Sequence, residues 1–164
     1  LRIATQLLQR KPLQSQGNGR MKHNNANCVF CEIIAGTAPA SIVHRDAHCI
    51  AFMNLRPLHP GEFMVIPLAH IDHFTDMPDD LAAHIMVVGQ RLGRRMMQVF
   101  APKRVGYVVH GFGVAHAHLN VVPLHESSDI VSAKHIVKTE SGLRIAHDAV
   151  PLRTRAEIDA DATQ

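Results

Sequence analysis

From Cys28 onward the hydrophobic positions change period several times, and each change marks an element. FCEIIAG reads as a short helical turn closed by Gly36. SIVHR (41–45) and HCIAFMNL (48–55) are apolar, β-branched runs parted by Asp46 and Ala47, which predicts a hairpin. RPLHPGE (56–62) is a Pro/Gly connection, and FMVIP (63–67) is a further strand ended by Pro67. Leu81, Ile85, Val88, Leu92, Met96 and Val99 then recur at spacings of three and four, predicting one long helix over 79–100. Asp79 and Asp80 occupy its first turn, where the helix dipole favours acids, and Arg91, Arg94 and Arg95 fall on its polar face. VGYVVH (105–110) and AHAHLNVVP (115–123) read as strands on either side of Gly-Phe-Gly. Beyond His125 the patterning is weak: a hairpin about Ser141 and Gly142, then a polar terminus.

With 164 residues, 46% of them hydrophobic and 19% charged, the chain has an ordinary globular balance and enough length for one core. No apolar run is long enough to span a membrane. Six Phe, one Tyr and no Trp leave little for stacking single-stranded nucleic acid. The net charge is +3, but Arg2, Arg10, Lys11 and Arg20 stand in a first segment that holds no acid. Without that segment the chain is slightly negative, so no specific nucleic-acid surface is expected on the folded part. Residues 1–24 are expected to be an extension, in which LRIATQLLQR has the pattern of a short amphipathic helix and QSQGNG that of a linker. The acid-free composition has a faint transit-peptide character, but Met21 near the natural start is the favoured reading.

Histidine is the unusual residue, with 13 in the chain. Imidazole titrates near neutrality, binds metals and can act as a nucleophile. Alternation along a strand puts His116, His118 and Asn120 on one face and Ala117, Leu119 and Val121 on the other. Gly111 and Gly113 just before them allow backbone to approach a ligand closely. A solvated edge strand with chance histidines is the plainer alternative. Cys28 and Cys31, at CxxC spacing, suit a zinc site or redox chemistry; a zinc site needs two further ligands from the histidines. A cupin-type HxH zinc enzyme wants a Glu where Val122 and Pro123 stand. Three cysteines, one close pair and no signal peptide argue for a reducing compartment, and a cytoplasmic location is expected.

CVFCEIIAGTAPASIVHRDAHCIAFMNLRPLHPGEFMVIPLAHIDHF, a helix, and then GFGVAHAHLNVVP together resemble the histidine triad (HIT) family of nucleotidyl hydrolases and transferases. The resemblance runs from about Asn27 to Leu124. It implies that His118, the middle position of the triad, attacks the α-phosphorus of a nucleotide and is transiently nucleotidylated, with His116 as the first triad position. It also implies a structural zinc on Cys28, Cys31, His70 and His116, with Cys49 outside the set. Backbone N–H groups of the glycine turn and Asn120 would meet phosphate oxygens, and Ile50, Phe52, Leu55 and Ile66 are candidates for the base pocket, with a plain core role the simpler reading for any single one. Asn54, His110, Gly111, Gly113 and Val114 complete the candidate nucleotide-binding set.

The chain departs from the family pattern in places. Asn120 replaces the third triad His; members with Gln there are transferases. Asn54 replaces the ribose-binding Asp, His110 stands for an Asn, and Phe112-Gly113 replaces a Gln-Ser pair. The expected fold is a HIT-like α+β domain over 25–125, an antiparallel sheet of about five strands with one long and one short helix, followed by a C-terminal extension, 126–164. The resemblance implies a homodimer acting on a nucleotide substrate, as a phosphoramidase or dinucleoside polyphosphate hydrolase. The rivals are a nucleotide-binding protein with little turnover and a zinc-stabilised interaction module.

Overall fold

The structure, a computed structural model, describes residues 28–111, 113–129, 136–140, 142–145 and 151–164. The extension expected over 1–24, Phe112 and Ser141 lie outside the described residues. Helix α1 (Val29–Ala35) is followed by strands β1 (Ile42–Arg45), β2 (Cys49–Met53) and β3 (Phe63–Pro67), helix α2 (Asp79–Val99), and strands β4 (Arg104–Val108) and β5 (Leu119–Leu124). These five strands form one antiparallel sheet in the order β1-β2-β3-β5-β4. No helix among the described residues is long and apolar enough to cross a membrane.

The period-two pattern decides what each face of the sheet meets. Cys49, Ala51 and Met53 of β2, Phe63 and Val65 of β3, and Leu119 and Val121 of β5 form one buried cluster with Ile85, Val88 and Met96 of α2. The alternate residues, Ile50, Phe52 and Ile66, pack with Cys28, Phe30 and Ile33 of the α1 segment. The long helix therefore covers one face, and the short helix covers part of the other. Gly36, at φ 77°, ends α1 in the left-handed region, and its N–H bonds back to the Ile33 carbonyl.

Helix α2 approaches the sheet most closely at two glycines that the apolar stripe does not include. A methyl at Gly89 would lie 2.8 Å from Leu119 Cδ2, and Leu119 is fully buried. Gly89→Ala gains helix propensity, yet the overlap dominates. We expect a loss of about 1–3 kcal/mol in urea unfolding; an unchanged or raised midpoint would show that the helix can lift from β5 without cost.

The strands around the histidines are shifted from their expected limits. The β4 ladder ends at Val108, leaving Val109 and His110 outside the sheet. The β5 ladder begins at Leu119, so His116 and His118 precede the paired region. They run ahead of it because the chain has just turned at Gly111 (φ 77°) and Val108↔Asn120 is the last pair of that ladder. Pro123 lies within β5 rather than ending it, paired with Val105.

Strands β6 (Ile136–Thr139) and β7 (Gly142–Ile145) pair as the hairpin expected there. The polar terminus is instead a packed helix, α3 (Arg155–Ala162). Thr154 and Glu157 form a reciprocal capping box, and Ile158 is 1% exposed within the core cluster on the α2 side. Asp159 accepts from Ser41 Oγ, and Arg153 pairs with Asp161. These anchors hold the C-terminal segment beside β1 and β2.

Candidate active site

Helix α1 and the segments around it bring Cys28, Cys31, His70 and His116 together. Cys28 caps α1 and Cys31 lies one turn on, so both thiols face the same side. His70 follows β3 by three residues. Its Nδ1 is 3.2 Å from Cys31 Sγ. His116 Nδ1 is 3.5 Å from Cys28 Sγ and 3.7 Å from Cys31 Sγ. The four donor atoms lie within 4.8 Å of one another.

Hydrogen bonding fixes both central tautomers. His116 Nε2 is 3.0 Å from the Pro67 carbonyl, which only accepts, so Nε2 carries the proton and Nδ1 turns its lone pair to the thiols. Burial, opposed by the Pro67 hydrogen bond and aided by His70 and His118, lowers the pKa of His116. Without a metal, burial and the adjacent Cys28 push the Cys31 thiol up to about 11. Two sulfurs and two imidazole nitrogens at these separations fit a tetrahedral zinc site.

His118 Nδ1 donates to the His116 carbonyl at 2.8 Å, so in the neutral ring the lone pair is on Nε2. Phe30 lies edge-on to both rings, at centroid distances of 5.8 Å to His116 and 5.5 Å to His118. His118 is buried, with 8% exposure, and lines a cleft of about 630 Å³. Asn54, His110, Gly113, Val114 and Asn120 line the same cleft, whereas Gly111 does not. Asn120 Nδ2 donates to the Val108 carbonyl at 3.2 Å, which pins the amide against β4. Asn54 is engaged at both ends: Nδ2 donates to Glu62 Oε1 at 2.6 Å, and Oδ1 accepts from the Arg56 N–H at 3.0 Å. Burial, opposed by the Leu58 N–H and Asn54, raises the pKa of Glu62.

Of the four candidate base-pocket residues, Phe52 and Leu55 line the cleft. Ile50 and Ile66 are fully buried in the core beneath it and do not line it. Sequence reasoning missed Phe30, Leu152 and Arg155, which also line it. The last two arrive with α3, whose start was legible in Thr154-x-x-Glu157, a capping-box spacing.

A second cluster lies away from the cleft, at the β1–β2 turn. Asp46 Oδ2 accepts from His44 Nε2 at 2.9 Å and from His84 Nε2 of α2 at 2.8 Å. Burial pushes the Asp46 carboxyl up, but hydrogen bonds from His44, the His48 and Cys49 N–H groups, and His84 outweigh it and hold the carboxyl far below its usual range. The turn is thereby tied to the long helix.

The comparisons with known proteins agree with this fold. A model of the HIT domain matches residues 35–127. The protein hit of Bacillus subtilis is 30% identical over 112 residues, covering 65% of this chain and 77% of that protein. The bifunctional adenosine 5′-phosphosulfate phosphorylase/adenylylsulfatase of Arabidopsis thaliana is 31% identical over 113 residues, covering 61% of this chain and 72% of the enzyme. A zinc-bound histidine triad family protein of Mycobacterium smegmatis superimposes with a TM-score of 0.63 at 25% identity, covering 83% of this chain and 88% of that one. The matched fold, the five-stranded antiparallel sheet and a HIT domain model spanning more than half of the sequence make this chain a member of the HIT domain family.

Proposed function

We propose that the protein binds a nucleoside 5′-phosphate derivative in the cleft and transfers the nucleotidyl group to His118. The observation that carries this reading is the His118 tautomer: Nδ1–H is held by the His116 carbonyl, so Nε2 is a ready nucleophile in a largely buried site. Nε2 attacks the α-phosphorus, and the bond from phosphorus to the leaving group breaks. The leaving group departs with the bonding electron pair, and it carries its own proton or takes one from solvent. Water or another acceptor then attacks the phosphorus and gives up its proton, while the phosphorus–Nε2 bond breaks and its electron pair returns to Nε2, releasing the nucleotide and restoring His118. The Gly113 and Val114 backbone and Asn120 receive the phosphate oxygens.

Cys28, Cys31, His70 and His116 would hold zinc, which fills its coordination sphere with protein donors and supplies structural rigidity rather than an activated water. The ring of His116 fixes the backbone whose carbonyl orients His118. The substrate class is one that leaves well or brings its own proton, a nucleoside phosphoramidate or a dinucleoside polyphosphate. Met86, Val87 and Met97, exposed on α2, offer apolar surface for the homodimer we propose, and sedimentation of the full chain tests it.

Asn120 gives a specific reason for the rival reading, nucleotide binding with little turnover. An amide anchored on Val108 cannot protonate a leaving group or speed breakdown of the adduct. We expect a burst of product on a nucleoside phosphoramidate, followed by slow turnover. Asn120→His should raise the steady-state rate by roughly 10–100-fold by restoring general-acid help. Stopped-flow product release from the wild type and Asn120→His checks both expectations. Brisk wild-type hydrolysis without a burst, and no gain in Asn120→His, would contradict the role given to Asn120; tight nucleotide binding with neither burst nor turnover would favour the rival.

A further inference from the structure

We infer that the C-terminal segment completes the cleft as a nucleobase subsite and that Arg155 selects 6-oxopurines over adenine, an inference that rests on the nucleotide-binding reading above. The sheet register places this subsite. Asn120 pairs with Met64, Met64 with Phe52, and Phe52 with Ile42, so one row crosses from the reacting strand to β1. Three inter-strand gaps span roughly 14 Å. Arg155 sits at the far end of that row: its guanidinium donates to Ser41 Oγ at 3.0 Å and to the Pro39 carbonyl at 3.2 Å, immediately before β1. The phosphate end of a nucleotide at His118 thus leaves its base over Phe52, toward Arg155.

The far end has the make-up of a slot for a flat, apolar ring with one polar edge. Val29, Leu55 and Leu152 remain 43–58% exposed, and all three line the cleft. Leu152 is held there by the adjacent Arg153 N–H, which donates to the Leu55 carbonyl at 3.3 Å. The slot is rigid because α3 is capped and Ile158 is buried.

Arg56 and Arg155 line the cleft, and among the described residues no carboxylate does. Arg155 spends two of its five N–H donors on neutral acceptors, Ser41 and Pro39, and keeps the others and its charge. A group with donors only pairs with a base edge that presents acceptors only. Guanine and hypoxanthine offer O6 and N7 side by side, whereas adenine sets an amino donor beside N7. The match to the HIT domain model ends at residue 127, so Arg155 lies outside the residues it spans.

The test is equilibrium binding of the 5′-monophosphates of guanosine, inosine, 7-deazaguanosine and adenosine to the full chain. Guanosine and inosine forms should bind alike, and about tenfold or more tighter than the adenosine form, with the 7-deaza form between. Arg155→Met should bring all four within about twofold by weakening the oxopurines and sparing adenosine. Equal or adenosine-favouring binding by the wild type overturns the subsite and leaves the nucleotide reading standing. A uniform loss across the four in Arg155→Met, with the ratio kept, also overturns it, because a merely structural arginine behaves that way. Binding of none of the four removes the nucleotide reading and this inference together. Where the variant fails to fold, the wild-type panel still overturns the inference if the adenosine form binds as tightly as the guanosine form.

Discussion

Replacing His118 with alanine is expected to lower nucleotidyl transfer by at least about 10⁴-fold, the scale of removing a nucleophile that no neighbour can replace. The fold should survive. His118 contributes one side-chain hydrogen bond to a backbone carbonyl and an edge contact with Phe30, and the cleft gives room for the lost ring. Nucleotide affinity should change far less than the rate, because Phe52, Leu55 and the glycine turn remain. Single-turnover kinetics with a nucleoside phosphoramidate, beside a direct binding measurement, separate the two. A variant that keeps more than about a tenth of the wild-type rate would assign the nucleophile to another group.

The second large effect is expected at the cysteines. Cys28→Ser should lose the metal and about 4 kcal/mol or more of stability, on the scale of losing a structural metal. For a chain of this size that is a fall in Tm of roughly 8–16 °C. Cys49→Ser should retain the full metal complement, since Cys49 Sγ faces Asp46 and lies outside the four-donor cluster. Zinc uptake should also depend on pH in a stated direction. The metal-free Cys31 thiol, at about 11, holds its proton at neutral pH, so binding releases it and affinity rises with pH. Elemental analysis and thermal melts of both variants check the first claim, and calorimetry in buffers of different ionisation enthalpy checks the second. Full metal and unchanged Tm in Cys28→Ser would remove zinc from the account.

Most of the sheet and the long helix were legible because hydrophobic period is a local signal. FMVIP is a strand with the expected ends, and the stripe from Leu81 to Val99 is a helix one residue shorter than expected. The residues gathered around the thiols were legible only through resemblance. Cys28 and His116 are 88 positions apart, and spacing alone left their partners open. Gly89 and Gly93 were missed because a glycine on a helix face carries no hydrophobic signal, although both lie where α2 touches the sheet. The C-terminal helix was missed for a different reason. Its burial rests on one residue, Ile158, in an otherwise polar stretch, and its other anchors are long-range pairs such as Ser41 with Asp159. Ile50 and Ile66 were candidates for the base pocket with a plain core role as the alternative, and they sit in the core layer beneath it; strand alternation gives their face, not their depth.

The central claim is a covalent nucleotidyl group on His118. Its most direct test is acid-free quenching of the full chain after mixing with a nucleoside phosphoramidate, followed by intact-mass and peptide mass spectrometry. The account predicts a mass increase of one nucleoside monophosphate per chain, mapped to His118, building up within the first turnover in the wild type and absent in His118→Ala. Product formed with no adduct in the wild type, or an adduct mapped to another residue, would contradict it.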